Sequence, residues 1–323
     1  MNKGIGHTIA IVIPYYGTWP AWMPFFLQSC GAHPQVEWLL FSDPPFRMPM
    51  PPNVHLMPMS LPEWERLASG KLGFPVHIRD PYKLCDFKPA FGLIFEDYLR
   101  TFDFWGYGDL DLIYGDLTGY FRGELLEQYD LFAGHAGFVP GHLAVMRNTP
   151  ALRQLFMQAF GYRKIFSTPY YCGFDEILFR FRIPGPPVLQ KGFNRIRIGR
   201  DLLLSRVREF LKEQGMKSLS VGRRGEEIFR PRDFSEVVRQ KEQEGSLRVL
   251  RRQADLSDLV LRKKRIGEWR MKWENGVLTE ECSGEEYVYF HFQLLKNSRR
   301  FRIPPFRPEA EKFYLSQEGF SYE

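Results

Sequence analysis

The chain has 323 residues, 44% of them hydrophobic and 16% aromatic, a composition that excludes disorder and supplies a large core. Its formal net charge is +6, and the excess is regional: residues 191–265 hold 21 Lys/Arg against 11 Asp/Glu, a balance of +10 that leaves −4 for the rest. The four cysteines (Cys30, Cys85, Cys172, Cys282) show no CxxC or metal-type spacing and read as packed thiols of a reducing cytoplasm; no apolar run approaches the ~20 residues that span a bilayer, and no signal peptide is legible.

Residues 8–14 (TIAIVIP) form a continuous β-branched run, the pattern of a strand buried on both faces at the centre of a parallel sheet. After a turn carrying Tyr15 and Tyr16, residues 19–30 show helical apolar spacing with Pro20 near the start, and residues 38–41 (WLLF) give a second strand ending at Ser42-Asp43. This is the β-α-β opening of a doubly wound nucleotide-binding fold, in which ligands gather at the carboxyl ends of the strands. Tyr15, Tyr16 and Asp43 lie at those ends, as base and ribose contacts or as turn residues and a helix cap.

Residues 44–62 read as an irregular connection with a short strand at 54–57, followed by a helix over 63–70. The segment PYKLCDFKP (81–89) precedes an amphipathic run to Leu99. Its Lys83, Asp86 and Lys88 either hold a phosphate or sugar hydroxyls at a helix start or are surface charges.

The stretch FDFWGYGDLDLIYGD (102–116) is the focus of the chain. An aromatic strand ends in Asp109-Leu110-Asp111, and on extended backbone the two aspartates point to one side, toward a shared hard divalent cation. Gly108 and Gly115 leave room for a ligand. Composition alone gives about one chance Asp-x-Asp in a chain this long, and a turn with Asp side chains bonded to backbone N–H groups is the alternative.

The order of these elements resembles the GT-A fold glycosyltransferases. More narrowly, PYKLCDFKPAFG followed by FWGYGDLDLIYGD looks like a bacterial family of mostly uncharacterised glycosyltransferases associated with surface-polysaccharide biosynthesis, over residues 8–182 and again 268–300. The resemblance implies a nucleotide-sugar donor, with a UDP-sugar favoured, Mn²⁺ or Mg²⁺ as cofactor, and a glycan or lipid-linked acceptor. It implies Asp109 and Asp111 on the metal, with Asp109 also near the ribose, and Lys83 and Lys88 on the diphosphate or donor sugar.

Further along, residues 117–129 read as helix, 131–133 and 142–146 as short strands, and 150–160 as helix, with His135 in the intervening loop as a packed or a catalytic histidine. Phe174-Asp175-Glu176 opens a helix, where acids complement the dipole. Within the resemblance an acid at this helix start reaches the cleft as base or sugar contact, Asp175 first and Glu176 in reserve.

Residues 201–215 form an amphipathic basic helix that either packs on the main domain or meets an acidic membrane surface. Asn275-Gly276 predicts a type I′ hairpin over 268–281, and residues 286–293 a third strand with Tyr287, Tyr289 and His291 on one face. His291 followed by Lys296 is similar to the C-terminal His…Lys segment of glycogenin-like transferases, which implies His291 on the metal and Lys296 on the diphosphate; the usual intervening glycine is absent and Lys296 is one residue closer.

The expected fold is therefore α/β and GT-A-like (Rossmann-like): a mixed, mainly parallel sheet flanked by helices, with a helical basic insertion and a C-terminal β-hairpin region. The expected domains are a core over 1–183, the insertion over 184–266 and the hairpin region over 267–323, in a cytoplasmic protein that associates peripherally with the membrane if the basic helix meets lipid. Two other functions share part of the pattern. A metal-dependent nucleotidyltransferase shares the doubly wound start and the paired acids but usually shows a glycine-rich loop after the first strand, which PYYGTWP is not, and a nucleic-acid-binding protein would use the basic region, where no zinc or RNP-like signature is seen.

Overall fold

The computed structural model describes residues 6–169, 171–175, 233–252, 254 and 269–323. Strand β1 (Ile9–Pro14) lies between β2 (Val36–Ser42) and β4 (Phe104–Gly108) and pairs parallel with both. Its side chains alternate between two cores: Ala10 and Val12 join Phe41, Trp64, Trp105 and Tyr107, while Ile9, Ile11 and Ile13 join Met23, Trp38 and Tyr114. An uninterrupted apolar run satisfies both faces at once, each buried side chain contributing about 1.5–3 kcal/mol.

The sheet extends through β3 (Val54–Pro58), parallel to β2, and through β7 (Leu143–Arg147), which runs antiparallel to both β4 and β6 (Leu131–Ala133). With β8 (Val249–Arg251) parallel to β6, the order is β3-β2-β1-β4-β7-β6-β8: a mixed α/β architecture with a mainly parallel central sheet. Helix α1 (Met23–Gly31) packs in the second core and α2 (Leu61–Leu72) in the first. A reciprocal Ser60/Glu63 capping box starts α2, and Gly73, at φ 74°, ends it in the left-handed conformation. The first helix begins later than its periodicity predicts, because Trp22 is its cap and Pro24 falls in its first turn.

Several predicted helices are shorter or broken. Residues 81–90 (Pro81–Ala90) form a 3₁₀ segment leading into the four-residue α3 (Phe91–Ile94) instead of a helix to Leu99. Trp105 accounts for the close packing here: a Cβ on Gly92 would overlap its indole. The stretch after Asp116 divides into α4 (Leu117–Tyr120) and α5 (Gly123–Gln128), and α6 (Pro150–Arg153) gives way to a 3₁₀ turn before an unpredicted α7 (Tyr162–Ser167).

Of the helix expected from residue 174 only Phe174 and Asp175 are described; Glu176 and the basic helix over 201–215 lie outside the described residues. Helix α8 (Phe234–Gln243) and β8 fall within the 184–266 stretch, and β8 is an edge strand of the central sheet. Two arginines there are paired with acids, Arg248 with Asp130 at 2.8 Å and Arg251 with Glu242 at 2.9 Å. No helix among the described residues is long and apolar enough to cross a membrane.

Strands β9 (Met271–Glu274) and β10 (Val277–Glu280) form the predicted hairpin, Asn275 and Gly276 both having positive φ, 49° and 83°. The third strand splits at Val288. Its first part, β11 (Glu286–Tyr287), pairs with β10, whereas β12 (Tyr289–His291) pairs antiparallel with β5 (Leu112–Tyr114). A terminal hairpin, β13 (Lys312–Ser316) and β14 (Gly319–Ser321), completes a five-stranded antiparallel sheet, and Phe25 of α1 packs in a third core with Trp273, Phe313 and Phe320.

Candidate functional site

The Asp109-Leu110-Asp111 segment leaves the carboxyl end of β4 and is pinned at each residue. Asp109 N–H donates to His142 O at 3.1 Å, Trp22 Nε1–H donates to Leu110 O at 3.0 Å, and Phe292 N–H donates to Asp111 O at 3.1 Å. Pairing of β5 with β12 sets Leu112 opposite His291, so the strand that follows Asp111 delivers the imidazole to it. One ligand atom each from Asp109, Asp111 and His291 lies within 4.8 Å of the other two. Two carboxylates and an imidazole are groups that bind metal ions, and their convergence fits a divalent cation.

Two lysines share the site. Lys296 Nζ donates to Asp111 Oδ2 at 2.6 Å and lies 5.5 Å from the centre of the Trp22 ring, while His291 Nε2 is 3.4 Å from Asp111 Oδ1. Lys88 Nζ donates to Asp109 Oδ1 at 2.5 Å and to Gly141 O at 2.7 Å. Burial would raise the Asp111 carboxyl, but the charges of His291 and Lys296 outweigh it and hold the group well below the usual carboxylate range. Burial likewise opposes the charges of Lys88 and Lys296, and Asp109 and Asp111 respectively keep both above the ordinary lysine value.

Of the other residues singled out in the sequence, Tyr15 is half-buried just past the carboxyl end of β1. Its hydroxyl donates to Thr18 O at 2.6 Å, its ring stacks on Trp19 at 5.2 Å, and its pKa is raised by burial against the nearby Lys296 charge. Asp43 is exposed at the end of β2. Asp175 is buried and accepts from Tyr171 Oη at 2.9 Å; its charge reaches Lys88 and so the metal-type cluster.

Three residues, Tyr16, Lys83 and Asp86, are buried away from the site, and a fourth, Lys88, is buried within it. Tyr16 is turned into the core with Trp64, since consecutive side chains after β1 point opposite ways. Lys83 and Asp86 are fully buried and paired at 2.6 Å; Lys83 also donates to Ile165 O, and Asp86 accepts from the Cys172 and Phe174 N–H groups, both at 2.8 Å. They clamp the segment that carries Asp175. Lys88 is at the site but buried behind Asp109, which it orients rather than reaching past it.

The two glycines expected to admit a ligand make room for protein. A Cβ on Gly115 would overlap Tyr287 O, and one on Gly108 would press against Tyr114 Oη at 3.0 Å. Cys282 is exposed rather than packed, and His135 accepts from Gly137 N–H at 2.9 Å within its own loop.

Trp22 and His142 belong to the site although the sequence reading missed them. Trp22 sits in an apolar helical pattern, and its indole N–H gave no sign of the Leu110 carbonyl 88 residues away. His142 directly precedes the apolar residues 143–146 of β7, and a polar residue there was the available signal.

The chain belongs to a family of unknown function, DUF6625, whose model matches residues 11–323. No curated protein matches it. Among solved structures, the galactosyltransferase LgtC in complex with donor and acceptor sugar analogs is similar with a TM-score of 0.30 and 12% identity, over 50% of this chain and 66% of that one. The glycosyltransferase GlyE of Streptococcus pneumoniae TIGR4 is similar in its apo form with a TM-score of 0.30 and 14% identity, and in a second structure with 0.28 and 15%. Both GlyE alignments cover 75% of this chain and 65% of GlyE, so the chain spans just under two thirds of the length of these structures.

Proposed function

We propose that this protein is a metal-dependent glycosyltransferase that moves a hexosyl group from a nucleoside-diphosphate sugar, a UDP-sugar by preference, to a glycan or lipid-linked acceptor in surface-polysaccharide biosynthesis. The observation that carries the reading is the convergence of Asp109, Asp111 and His291, from segments 180 residues apart, at the carboxyl end of a central strand. Doubly wound folds bind nucleotides at that edge of the sheet. The PYKLCDFKPAFG and FWGYGDLDLIYGD motifs add the family resemblance.

Asp109, Asp111 and His291 would hold Mn²⁺ or Mg²⁺, which when bound neutralises the negative charge of a departing diphosphate. Lys296, the more exposed of the two lysines, would contact the diphosphate, with Lys88 fixing the Asp109 carboxylate. Tyr15, with Trp19 stacked behind it, and Asp43 would meet the nucleoside. Asp175 would orient the acceptor hydroxyl or accept its proton, its carboxylate held by the Tyr171 hydroxyl. Glu176 remains the neighbouring candidate.

A thermal-shift panel of nucleoside diphosphates, their sugars and nucleoside triphosphates, each with and without Mn²⁺, tests the reading. A ligand at 100 times its Kd adds about 2.7 kcal/mol to the folded state. Stabilisation by a nucleoside diphosphate or its sugar only when Mn²⁺ is present is the expected result. Stabilisation confined to triphosphates would point to nucleotidyl transfer, and a panel flat throughout would remove the nucleotide site.

A further inference from the structure

We infer that His142 is a positioning residue that braces Asp109 and His291 against each other across the metal centre, in addition to the β5–β12 pairing that brings His291 to Asp111, and that Tyr289 and Gly134 hold His142 in place. This rests on the metal-centre reading of Asp109, Asp111 and His291. Those ligands come from two covalently remote arms, the loop after β4 and strand β12, and a cation needs both at fixed separation. His142 touches each arm with a different part of itself. Its carbonyl accepts from Asp109 N–H at 3.1 Å, and its ring lies against the His291 ring with centroids 4.3 Å apart and planes at 32°.

The His142 ring is itself fixed. Its Nε2 is hydrogen-bonded to Tyr289 Oη at 3.0 Å, and Tyr289 is fully buried on β12, two residues from His291 and on the same side of the strand. The Tyr289 hydroxyl lies against Gly134, where a Cβ would overlap it. Gly134 does not have positive φ, so glycine is needed there for space rather than for backbone conformation. Gly134, Tyr289, His142 and His291 thus form one contact path that ends on a metal ligand without any of the first three being in the donor set.

The test measures Mn²⁺ affinity directly, by the loss of the free-ion electron paramagnetic resonance signal on titration, with melting temperature recorded alongside. His142→Ala is expected to weaken Mn²⁺ binding by about 10- to 100-fold, and Tyr289→Phe, which keeps the ring and removes only the hydroxyl, by a smaller factor. Gly134→Ala is expected to weaken it as well, and Tyr289→Phe on the Gly134→Ala background to recover part of that loss by relieving the overlap. Such recovery is a coupling that independent structural damage does not produce. Wild-type affinity in folded Tyr289→Phe and His142→Ala, with affinity lost in His291→Ala, overturns the inference and leaves the metal centre standing. Absence of Mn²⁺ binding by the wild-type protein overturns both.

Discussion

Replacing Asp86 by Asn separates a structural clamp from a ligand contact. The Asp86 carboxylate and Lys83 ammonium are both wholly inaccessible and 2.6 Å apart. The substitution keeps the shape and leaves a buried cation without its counter-charge, a change that costs about 3–5 kcal/mol. Asparagine keeps one oxygen for the Phe174 and Cys172 N–H groups, so one of these bonds weakens too, adding on the order of 1 kcal/mol. For a domain of several hundred residues the melting temperature should fall by roughly 6 °C or more. The double variant Lys83→Met/Asp86→Asn removes the stranded charge and should regain at least about half of the loss, since the unpaired buried charge is the largest part of it. Urea and thermal unfolding of the two variants and the wild type measure all three quantities. An Asp86→Asn protein that melts within a degree of wild type, or a double variant less stable than the single, would refute the clamp.

Asp111→Asn should lower transfer activity at least about 100-fold in a protein that still folds, with some loss of melting temperature because both His291 and Lys296 lose a carboxylate partner; near-normal turnover at saturating Mn²⁺ would exclude this residue from the metal. His291→Ala should raise the Mn²⁺ concentration for half-maximal activity, whereas loss of a packing residue alone would lower the melting temperature and leave that concentration unchanged. His33 provides a pH test away from the site: burial lowers its imidazole to about 4 against the opposing pull of Asp116 and the Gly115 backbone. Because the unfolded histidine takes up a proton near pH 6.5, stability contributed by the neutral ring is present above that pH and is lost as pH falls toward 4, a total of about 3 kcal/mol. Urea unfolding of wild type and His33→Gln at pH 7 and pH 4.5 should show the smaller pH dependence in the variant, and equal dependence would deny the effect.

What the amino-acid sequence determined by itself was local. The β-branched run of β1, the Asn275-Gly276 turn and the aromatic strand ending in Asp-x-Asp each carry their conformation in a few adjacent residues, so strand positions and the mainly parallel sheet were legible. The approach of His291 to Asp111 came only through a family resemblance, because strand register 180 residues apart leaves no local trace. Helix lengths were misread where packing overrides periodicity, as at Gly92 beneath Trp105. Charge was misread for the same reason: Lys83, Asp86 and Lys88 look like surface groups or phosphate ligands until burial and a partner at 2.5–2.6 Å are known. Tertiary structure alone decided which acids converge with His291, which of the two lysines is the more exposed, and that the Trp22 indole and the His142 carbonyl hold the Asp-x-Asp loop. Those are properties of side chains meeting across the fold, and a polar atom's role depends on what lies within hydrogen-bond reach rather than on its neighbours in the chain.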